Sequence, residues 1–312
     1  MSAQSLPFDD AAVAEAVRLI RASEPVALPS ETVYGLAADA TDSRAVAAIY
    51  AAKGRPSFNP LIVHVADRAM AEKLALFSDV AGRLADAFWP GPLTMVLPRR
   101  EGGPVSDLVA AGLPTIAIRM PAHPAMQQVI RASGLPLAAP SANRSGSISP
   151  TSAAHVLASL GDRIKLVVDA GPTQAGIEST IIAINVDSVR ILRPGPVTAQ
   201  QLAEVSGLPV TGAGSEGGIE APGQLASHYC PDKPLRLRAA QAEADEFLIG
   251  FGPMPCDYNL SASGDPTEAA ANLFAALHLA DSSTAPRIAV ASIPDDGIGF
   301  AINDRLARAA VR

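Results

Sequence analysis

Hydrophobic and polar positions follow two patterns along the first two hundred residues, one typical of amphipathic helices and one of short buried strands. Helical spacing of apolar residues predicts six helices, at about 10–23, 43–53, 67–88, 122–133, 151–160 and 198–206. Between them lie the strand-like runs PVALP, LIVHV, LTMVLP, TIAIRMP, KLVVDAG, STIIAIN and VRILRPG. The mixture predicts an α/β fold with a sheet of at least six strands.

The periodic pattern stops at residues 207–234, which are dense in Gly, Pro and Ser and predict a long linker. Gly212, Gly214 and Gly217 have the G-x-G-x-x-G spacing of dinucleotide-binding loops. That interpretation needs a helix opening inside the motif, and Pro222 follows too soon to allow one. A flexible connector is favoured.

A second, smaller unit follows the linker. The runs PLRLRA, EFLIGFG and RIAVASIP resemble strands, and PTEAAANLFAALHLAD and FAINDRLARAAV resemble helices. They predict a small α/β domain of about eighty residues.

The composition is that of an Ala-, Val- and Leu-rich globular protein: 312 residues, 48% hydrophobic, 18% charged and 4% aromatic. The first residues lack the basic flank and apolar core of a signal peptide, and no run reaches the ~18 apolar residues of a membrane span, so we expect a cytoplasmic location. The two cysteines, Cys230 and Cys256, have no metal-ligand or C-x-x-C spacing and are expected to be ordinary thiols.

Charge argues against a long polyanionic ligand. The formal net charge is −7, with 17 basic against 18 acidic residues up to residue 210 and 7 against 13 after it. A nucleic-acid-binding protein normally has a basic excess. Basic residues gathered in one place should therefore bind something small.

Two cations stand in a stiff loop, AKGRPSFNPL, directly after a predicted helix. Gly54 permits close backbone approach, and Pro56 and Pro60 restrict the chain around Lys53 and Arg55. An arginine fork beside a lysine suits phosphate or carboxylate recognition. The alternative is a solvated helix C-terminus, where cations are favoured without any ligand.

Two further arginines end apolar strands. Arg119 closes TIAIRMP and Arg193 closes the run in ILRPGP. An arginine at such a place must find a partner, because an unpaired buried charge is costly. A structural ion pair explains each as well as a ligand does.

Hydroxyl and amide side chains collect in the segment APSANRSGSISPTSA, before a helix whose predicted N-cap is Thr151 or Ser152. Such a segment can bind an anion at the helix N-terminus, but turns and caps use the same residues without a ligand. The residues are Ser141, Asn143, Ser145, Ser147 and Ser149, and Ser179 and Thr180 repeat the theme in GIESTIIAI.

A polar cluster, Ser30, Glu31, Thr32 and Tyr34, follows the strand PVAL and is more typical of a turn than of a site. His64 alternates with apolar neighbours and is more typical of a core histidine than of a metal ligand, since no second ligand lies at a suitable spacing.

The joint occurrence is more informative than any single motif. Lys53, Arg55, Arg119 and Arg193 place four cations at element ends in a near-neutral region, which suits a nucleotide together with a second anion. The sequence contains no G-x-x-x-x-G-K-[ST], H-E-x-x-H or G-x-S-x-G motif.

The ordered segments LPSETVYGLAADA, IYAAKGRPSFNPLIVHV, WPGPLTMVL, IAIRMPAHP, PLAAPSANRSGSISPT and IESTII…ILRPG resemble the YrdC/Sua5 family of threonylcarbamoyl-AMP synthases over roughly residues 10–210. PGQLASHYCPDKPLRL and the second unit resemble the longer, Sua5-type members. The resemblance implies an N-terminal YrdC-like twisted open mixed sheet with flanking helices (1–210), a linker or lid (211–234) and a small Rossmann-like domain (235–312).

The family's reaction makes threonylcarbamoyl-AMP and pyrophosphate from L-threonine, bicarbonate and ATP, for the t⁶A modification of tRNA. By resemblance, the threonine-binding residues are Thr32, His64, Arg119, Ala139 and Ser179. The ATP-binding residues are Lys53, Arg55, Asn59, Thr115, Ser141, Ser149, Arg193 and Tyr229, of which Lys53 and Arg55 are also assigned to catalysis. His228 and Tyr229 are expected over the pocket mouth.

The resemblance also implies Mg²⁺ bound with ATP and without a dedicated protein cage, since Mg²⁺ prefers phosphates and water. The product is expected to pass to the tRNA threonylcarbamoyl-transferase complex, with no tRNA contact required. Two alternatives are a double-stranded RNA-binding protein, against which the net charge of −7 argues, and a carbamoyl-transfer relative of the hydrogenase-maturation proteins.

Overall fold

The computed structural model describes residues 3–212, 220–224 and 227–311. The helices are α1 (Asp10–Arg21), α2 (Ser43–Lys53), α3 (Arg68–Glu72), α4 (Asp79–Phe88), α5 (Asp107–Ala110), α6 (Pro124–Ser133), α7 (Ala153–Leu160), α8 (Ala199–Ser206), α9 (Pro266–Ser282) and α10 (Gly299–Ala309). The strands are β1 (Gln4–Pro7), β2 (Val26–Pro29), β3 (Tyr34–Asp39), β4 (Ile62–His64), β5 (Leu93–Pro98), β6 (Thr115–Arg119), β7 (Leu137–Ala138), β8 (Leu166–Asp169), β9 (Thr180–Ile184), β10 (Val189–Arg193), β11 (Val210–Thr211), β12 (Leu235–Arg236), β13 (Glu246–Gly250), β14 (Tyr258–Asn259) and β15 (Arg287–Val290).

A large mixed sheet contains eleven strands in the order β1-β8-β2-β3-β7-β4-β6-β5-β9-β10-β11. The sheet combines parallel pairs, such as β4/β6 and β5/β9, with antiparallel pairs, such as β5/β6 and β9/β10. The predicted α/β class and mixed sheet are confirmed. The central strands bury both faces, which is why their sequences are continuous apolar runs rather than alternating ones.

One predicted helix is wrong in its extent. Residues 67–88 form two helices, α3 and α4, with a break between them. Ala75 forms a β-bridge with Arg99 in the break, and the Ser78 side chain accepts a hydrogen bond from Ala81 N (3.2 Å) and so begins α4. The apolar period continues across the break because Leu74 and Ala75 are buried there, so periodicity alone hid it.

Helix α2 ends where the cationic loop begins. Gly54 has φ 61°, a left-handed conformation that glycine adopts without strain, and it caps the helix by donating to the carbonyls of Tyr50 and Ala51. This turn redirects the chain from Lys53 into the loop that carries Arg55.

The C-terminal domain has its own parallel sheet of four strands, in the order β12-β15-β13-β14, against which α9 and α10 pack. Its apolar cluster is shared with the rest of the chain: Val33, Ile148, Ile177 and Tyr229 pack with residues of α9 and α10. The domain is therefore joined to the large sheet by a common core.

The linker is described only in part. Of the three glycines that satisfy the dinucleotide-binding spacing, Gly214 and Gly217 lie outside the described residues. Within the described part of the chain, no helix has the length and apolar character needed to cross a membrane.

Candidate active site

The candidate site lies where several strands of the large sheet end together. His64 and Arg119 are in register at the carboxyl ends of the parallel strands β4 and β6, so they lie side by side. Ser179 precedes β9 and Arg193 closes the antiparallel β10, which brings both to the same edge. The strand-end residues singled out in the sequence therefore meet in one place.

A cavity of about 50 Å³ lies at this edge. Its lining combines apolar residues of the sheet, basic and hydroxyl side chains, and residues of the linker. The lining residues are Ser30, Thr32, Val33, Gly35, Arg55, Ile62, His64, Arg119, Met126, Ala139, Pro140, Ser141, Glu178, Ser179, Arg193, Pro222, Gly223 and His228.

Arg119 is held from three sides and is 3% exposed. Its Nε donates to the Gly91 carbonyl (3.1 Å), its Nη1 donates to Thr32 Oγ1 (2.9 Å), and its Nη2 lies 2.6 Å from Glu31 Oε1. Burial alone would raise the pKa of Glu31, but the charge of Arg119 lowers it below its ordinary value, so the carboxylate is ionised. The structural ion pair left open by the sequence is present, and Arg119 still lines the cavity.

Arg193 is held mainly by the residue that precedes β9. Its Nε and Nη2 donate to the Ser179 carbonyl (3.1 and 3.0 Å), and Nη2 also donates to Ser179 Oγ (3.1 Å). The Ser179 hydroxyl is 2.8 Å from Thr94 Oγ1 on β5. Burial lowers the pKa of Arg193 because the charged form is desolvated.

Lys53 and Arg55 are buried, at 3% and 9% exposure, so a solvated helix end is the wrong interpretation of this loop. Lys53 Nζ donates to the carbonyls of Ser141 (2.5 Å) and Asn143 (2.6 Å), and thereby fixes the serine-rich turn. Arg55 donates to the carbonyls of Asn59 (3.2 Å) and Pro60 (2.8 Å).

Burial determines the electrostatics of the two cations in this loop. Burial, with a smaller contribution from Arg55, lowers the pKa of Lys53 well below its ordinary value, and burial lowers the pKa of Arg55 to about 10. Carbonyl oxygens carry only partial negative charge, so both cations are short of full counter-charge. An anion entering the cavity would supply it.

Two histidines line the cavity in their neutral form. Burial lowers the pKa of His64 and of His228 to about 3, with the Arg119 charge adding to the effect at His64. Nδ1 of each ring has no hydrogen-bond partner among the described residues. A neutral imidazole with a free ring nitrogen can bind a ligand hydroxyl or amine.

Glu178 is a site residue that the sequence reasoning missed. It is 5% exposed, it lines the cavity, and its carboxylate accepts hydrogen bonds from Ser149 Oγ (2.5 Å) and Arg305 Nε (2.8 Å). Its place directly before Ser179 at a strand start was a signal in the sequence, but acidic residues in turns are too common to single out. Nothing in the sequence around Arg305, on α10 of the C-terminal domain, indicated that it belongs to the site.

The other residues assigned by resemblance lie at varying distances from the cavity. Lys53, Asn59, Ser149 and Tyr229 are buried next to lining residues, through the contacts of the Lys53 loop, the Glu178 carboxylate and the linker. Thr115 opens β6, roughly 13 Å along the strand from Arg119 at ~3.3 Å per residue. Its assignment stays a prediction without a contact in the cavity.

The arrangement suits a small anionic ligand kept away from water. The guanidinium groups of Arg55, Arg119 and Arg193 face one cavity, where Glu178 is the one carboxylate among the described lining residues. Among residues 3–212, 220–224 and 227–311, no three His, Cys, Asp or Glu side chains form a group able to hold a metal ion.

Known proteins match this chain over nearly its whole length. A family model described as telomere recombination, covering Sua5, YciO and YrdC proteins, matches residues 18–195, and one described as the C-terminal domain of threonylcarbamoyl-AMP synthase matches residues 197–311. Threonylcarbamoyl-AMP synthase of Bacillus subtilis (strain 168) is 42% identical, over 98% of this chain and 94% of the relative. The corresponding protein of Pyrococcus abyssi is 38% identical, over 95% and 93%.

The solved structures agree. P. abyssi Sua5 complexed with L-threonine matches with a TM-score of 0.90 and 34% identity, over 99% of this chain and 98% of that one. E. coli YciO and full-length HypF match about three fifths of the chain at 20% and 19% identity, with TM-scores of 0.55 and 0.54, and so share the fold of that part alone.

Proposed function

The chain belongs to the Sua5/YrdC family of threonylcarbamoyl-AMP synthases, and on this premise we propose that it acts as a nucleotidyltransferase that makes threonylcarbamoyl-AMP and pyrophosphate from L-threonine, bicarbonate and ATP. The observation that carries the proposal is the cavity that the buried side chains of Arg55, Arg119 and Arg193 line together with one carboxylate, that of Glu178. The product then passes to the tRNA threonylcarbamoyl-transferase complex.

The reaction joins two anions. The amine of threonine condenses with bicarbonate and loses water, which gives an N-carboxylate. An oxygen of that carboxylate attacks the α-phosphorus of ATP, a P–O bond forms, and the bond to the leaving pyrophosphate breaks. Fixed cations offset the repulsion between the two anions, and exclusion of water protects the labile N-carboxylate.

Threonine binds on the His64 and Arg119 side of the cavity. Arg119, oriented by Glu31 and Thr32, pairs with the amino-acid carboxylate, and the neutral His64 accepts a hydrogen bond from the threonine hydroxyl through its free Nδ1. Ala139 and Ser179 complete this subsite. Support comes from the burial of both side chains and from their positions side by side on β4 and β6.

ATP binds on the Arg55 and Arg193 side. Arg55 and Lys53 exchange their carbonyl partners for phosphate oxygens and serve as the catalytic cations, since charge on those oxygens rises as pyrophosphate leaves. The remaining ATP-binding residues of this proposal are Asn59, Ser141, Ser149, Arg193 and Tyr229.

The cavity must enlarge before ATP can enter. A volume of about 50 Å³ is far below the roughly 300–1,000 Å³ of sites for ligands of drug size. Pro222, Gly223 and His228 of the linker line the cavity, so their displacement would open it. The same segment then closes over the bound substrates and excludes water.

Magnesium fits the site as a companion of ATP. Glu178, the carboxylate in the described lining, has both oxygens engaged, one by Ser149 and the other by Arg305. The ion would therefore be held by triphosphate oxygens and water, and would neutralise phosphate charge there.

Pyrophosphate release tests the proposal. With the wild-type protein we expect release from ATP that needs both threonine and bicarbonate, and loss of at least about a hundredfold in kcat/KM in Lys53→Ala and Arg55→Ala. Arg287→Met is the matched control, since Arg287 is half-exposed and pairs with Glu243 and Asp245 away from the cavity. Release that proceeds without threonine, or two fully active variants, would contradict the assignment.

A further inference from the structure

Arg305 is the most completely enclosed charged residue in the described chain, and it belongs to the C-terminal domain. It is 0% exposed on α10, yet its side chain reaches the edge of the catalytic cavity. Nε donates to Glu178 Oε2 (2.8 Å), Nη2 to the Pro194 carbonyl (2.9 Å) and Nη1 to Asp304 Oδ2 (2.8 Å). All three nitrogens are therefore engaged, and two of their partners lie in the catalytic domain.

The carboxylate that Arg305 engages lines the cavity. Glu178 lines the cavity beside Arg193, where the proposed function places a triphosphate. An ionised carboxylate there would repel that ligand unless another charge neutralised it. Burial alone would raise the pKa of Glu178, but Arg305, Arg193 and the hydrogen bond from Ser149 lower it, so Glu178 is ionised and its charge is compensated.

Compensation by Arg305 leaves Arg193 free for another partner. The described hydrogen bonds of Arg193 use Nε and Nη2, and all of them go to Ser179 rather than to Glu178. The other carboxylate oxygen of Glu178 accepts a hydrogen bond from the Ser149 hydroxyl. Arg305 thus takes the role of counter-ion that Arg193 would otherwise have to fill.

The C-terminal domain also fixes the linker at this point. The ring of Tyr229 lies 5.2 Å from Arg305 Cζ and 5.5 Å from the ring of Phe274 on α9. Tyr229 has φ 64°, a conformation that costs a non-glycine residue roughly 1 kcal/mol or more and persists only under packing from several sides. Arg305 and Phe274 provide that packing.

We propose that Arg305 is a positioning residue through which the C-terminal domain completes the ATP-binding part of the cavity, by neutralising Glu178 and supporting Tyr229. The inference rests on the proposed function for the identity of the ligand, ATP. The alternative is that the Arg305–Glu178 pair only clamps the two domains together, as buried ion pairs do elsewhere.

A charge-compensation cycle separates the two possibilities. The variants are Arg305→Met, Glu178→Gln and the double variant E178Q/R305M, with Arg287→Met as the matched control in the same domain. ATP binding is measured by titration calorimetry without co-substrates, KM for ATP and for threonine by pyrophosphate release, and Tm by thermal unfolding.

We expect R305M to weaken ATP binding by about tenfold or more and to change the threonine KM by less than about threefold, because the uncompensated charge lies on the ATP side. In E178Q/R305M the repelling charge is gone, so ATP binding should recover about tenfold relative to R305M. A clamp alone predicts that R305M weakens ATP binding and raises the threonine KM to a similar extent, together with a lower Tm, and that result would overturn the proposal.

The pH profile gives a readout that a structural role would not move. The groups facing Glu178 are Arg305 from α10, Arg193 from β10, and His228 and Tyr229 from the linker. Without Arg305, burial dominates and Glu178 takes up a proton more readily. The ATP-binding defect of R305M relative to wild type should therefore shrink from pH 8 to pH 6, and no such trend should appear in E178Q/R305M.

Two controls keep the outcomes distinct. If wild-type pyrophosphate release does not require threonine and bicarbonate, the proposed function fails, whereas a normal wild type with no rescue in the double variant refutes only the role of Arg305. If R305M does not fold, the folded double variant still decides: it lacks both charges and should bind ATP within about tenfold of wild type. Binding more than about tenfold weaker would refute the proposal.

Discussion

All five histidines of the chain have pKa values below the ordinary value, and we predict that the protein loses much of its stability between pH 8 and pH 5. Burial is the first cause in every case. The pKa is lowered to about 3 for His64 and His228 and to about 4 for His155, and it is also lowered for His123 and His278. The folded protein therefore keeps these rings neutral where the unfolded chain protonates them.

The sign and size follow from proton linkage. An unfolded histidine has a pKa near 6.5, so stability from a buried neutral ring is complete above that pH and falls as the pH drops towards the folded pKa. At pH 5 the unfolded state is favoured by about 2 kcal/mol for each fully buried ring, or ~4 kcal/mol for His64 and His228 together. His155, stacked on His278 at 3.9 Å but partly exposed, contributes less because water screens it.

Urea unfolding, followed by the fluorescence of the single tryptophan, Trp89, measures the effect at pH 8, 6 and 5. A loss of ~4 kcal/mol is a large part of the roughly 5–15 kcal/mol typical of a folded protein. His64→Gln should reduce the pH dependence by about half, because one of the two fully buried rings no longer titrates. An unfolding free energy that stays constant from pH 8 to pH 5, or a His64→Gln variant with the wild-type slope, would refute the reasoning.

Three substitutions test the packing around the cavity and in the C-terminal domain. Gly223→Ala should weaken ATP binding measured by calorimetry, because Gly223 has φ +86° and an added Cβ would lie 2.7 Å from Arg193 Cδ. Gly212→Ala is the control: a Cβ added there would have no atom within 4 Å, so this variant should bind ATP normally. Arg119→Met should raise the KM for threonine far more than the KM for ATP, and equal effects on both KM values would contradict the assigned subsites. The same variant should lower the free energy of unfolding in urea by about 3–5 kcal/mol, because Glu31 is left buried without its partner. Leu273→Ala should lower the free energy of unfolding by about 2–5 kcal/mol, because Leu273 is fully buried in the C-terminal core. Leu279→Ala, at an exposed position of the same helix, is the control. A similar loss of stability in that control would contradict the assignment of the loss to core burial.

Elements whose apolar residues form a long continuous run or a regular helical spacing could be predicted closely from the sequence. β5 coincides with the run LTMVLP and α2 with the predicted 43–53, because continuous burial and helical spacing leave a direct record in the residue types. The short strand β7 was not predicted, because two residues hold no period. The break between α3 and α4 was not predicted, because buried residues in the connection continue the apolar pattern of the helices beside it.

The site could be predicted as far as its residues lie at element ends. His64, Arg119 and Arg193 converge because parallel and antiparallel pairing brings those ends to one edge, and topology of that kind can be anticipated from strand-end polarity. Glu178 and Arg305 could not be paired in advance, since 127 positions separate them and each looks ordinary in its own segment. Contacts between distant segments depend on how two domains dock, which local patterns do not encode.

The apolar cluster shared by the two domains limits how the protein can be divided. Val33, Ile148 and Ile177 belong to the N-terminal part of the chain, yet they pack against α9 and α10. A fragment that ends before the linker would expose these apolar side chains to solvent, and exposed apolar patches promote self-association. The N-terminal part produced alone should therefore aggregate unless Ile148 and Ile177 are replaced with polar residues. Val33 should be kept, because it also lines the cavity.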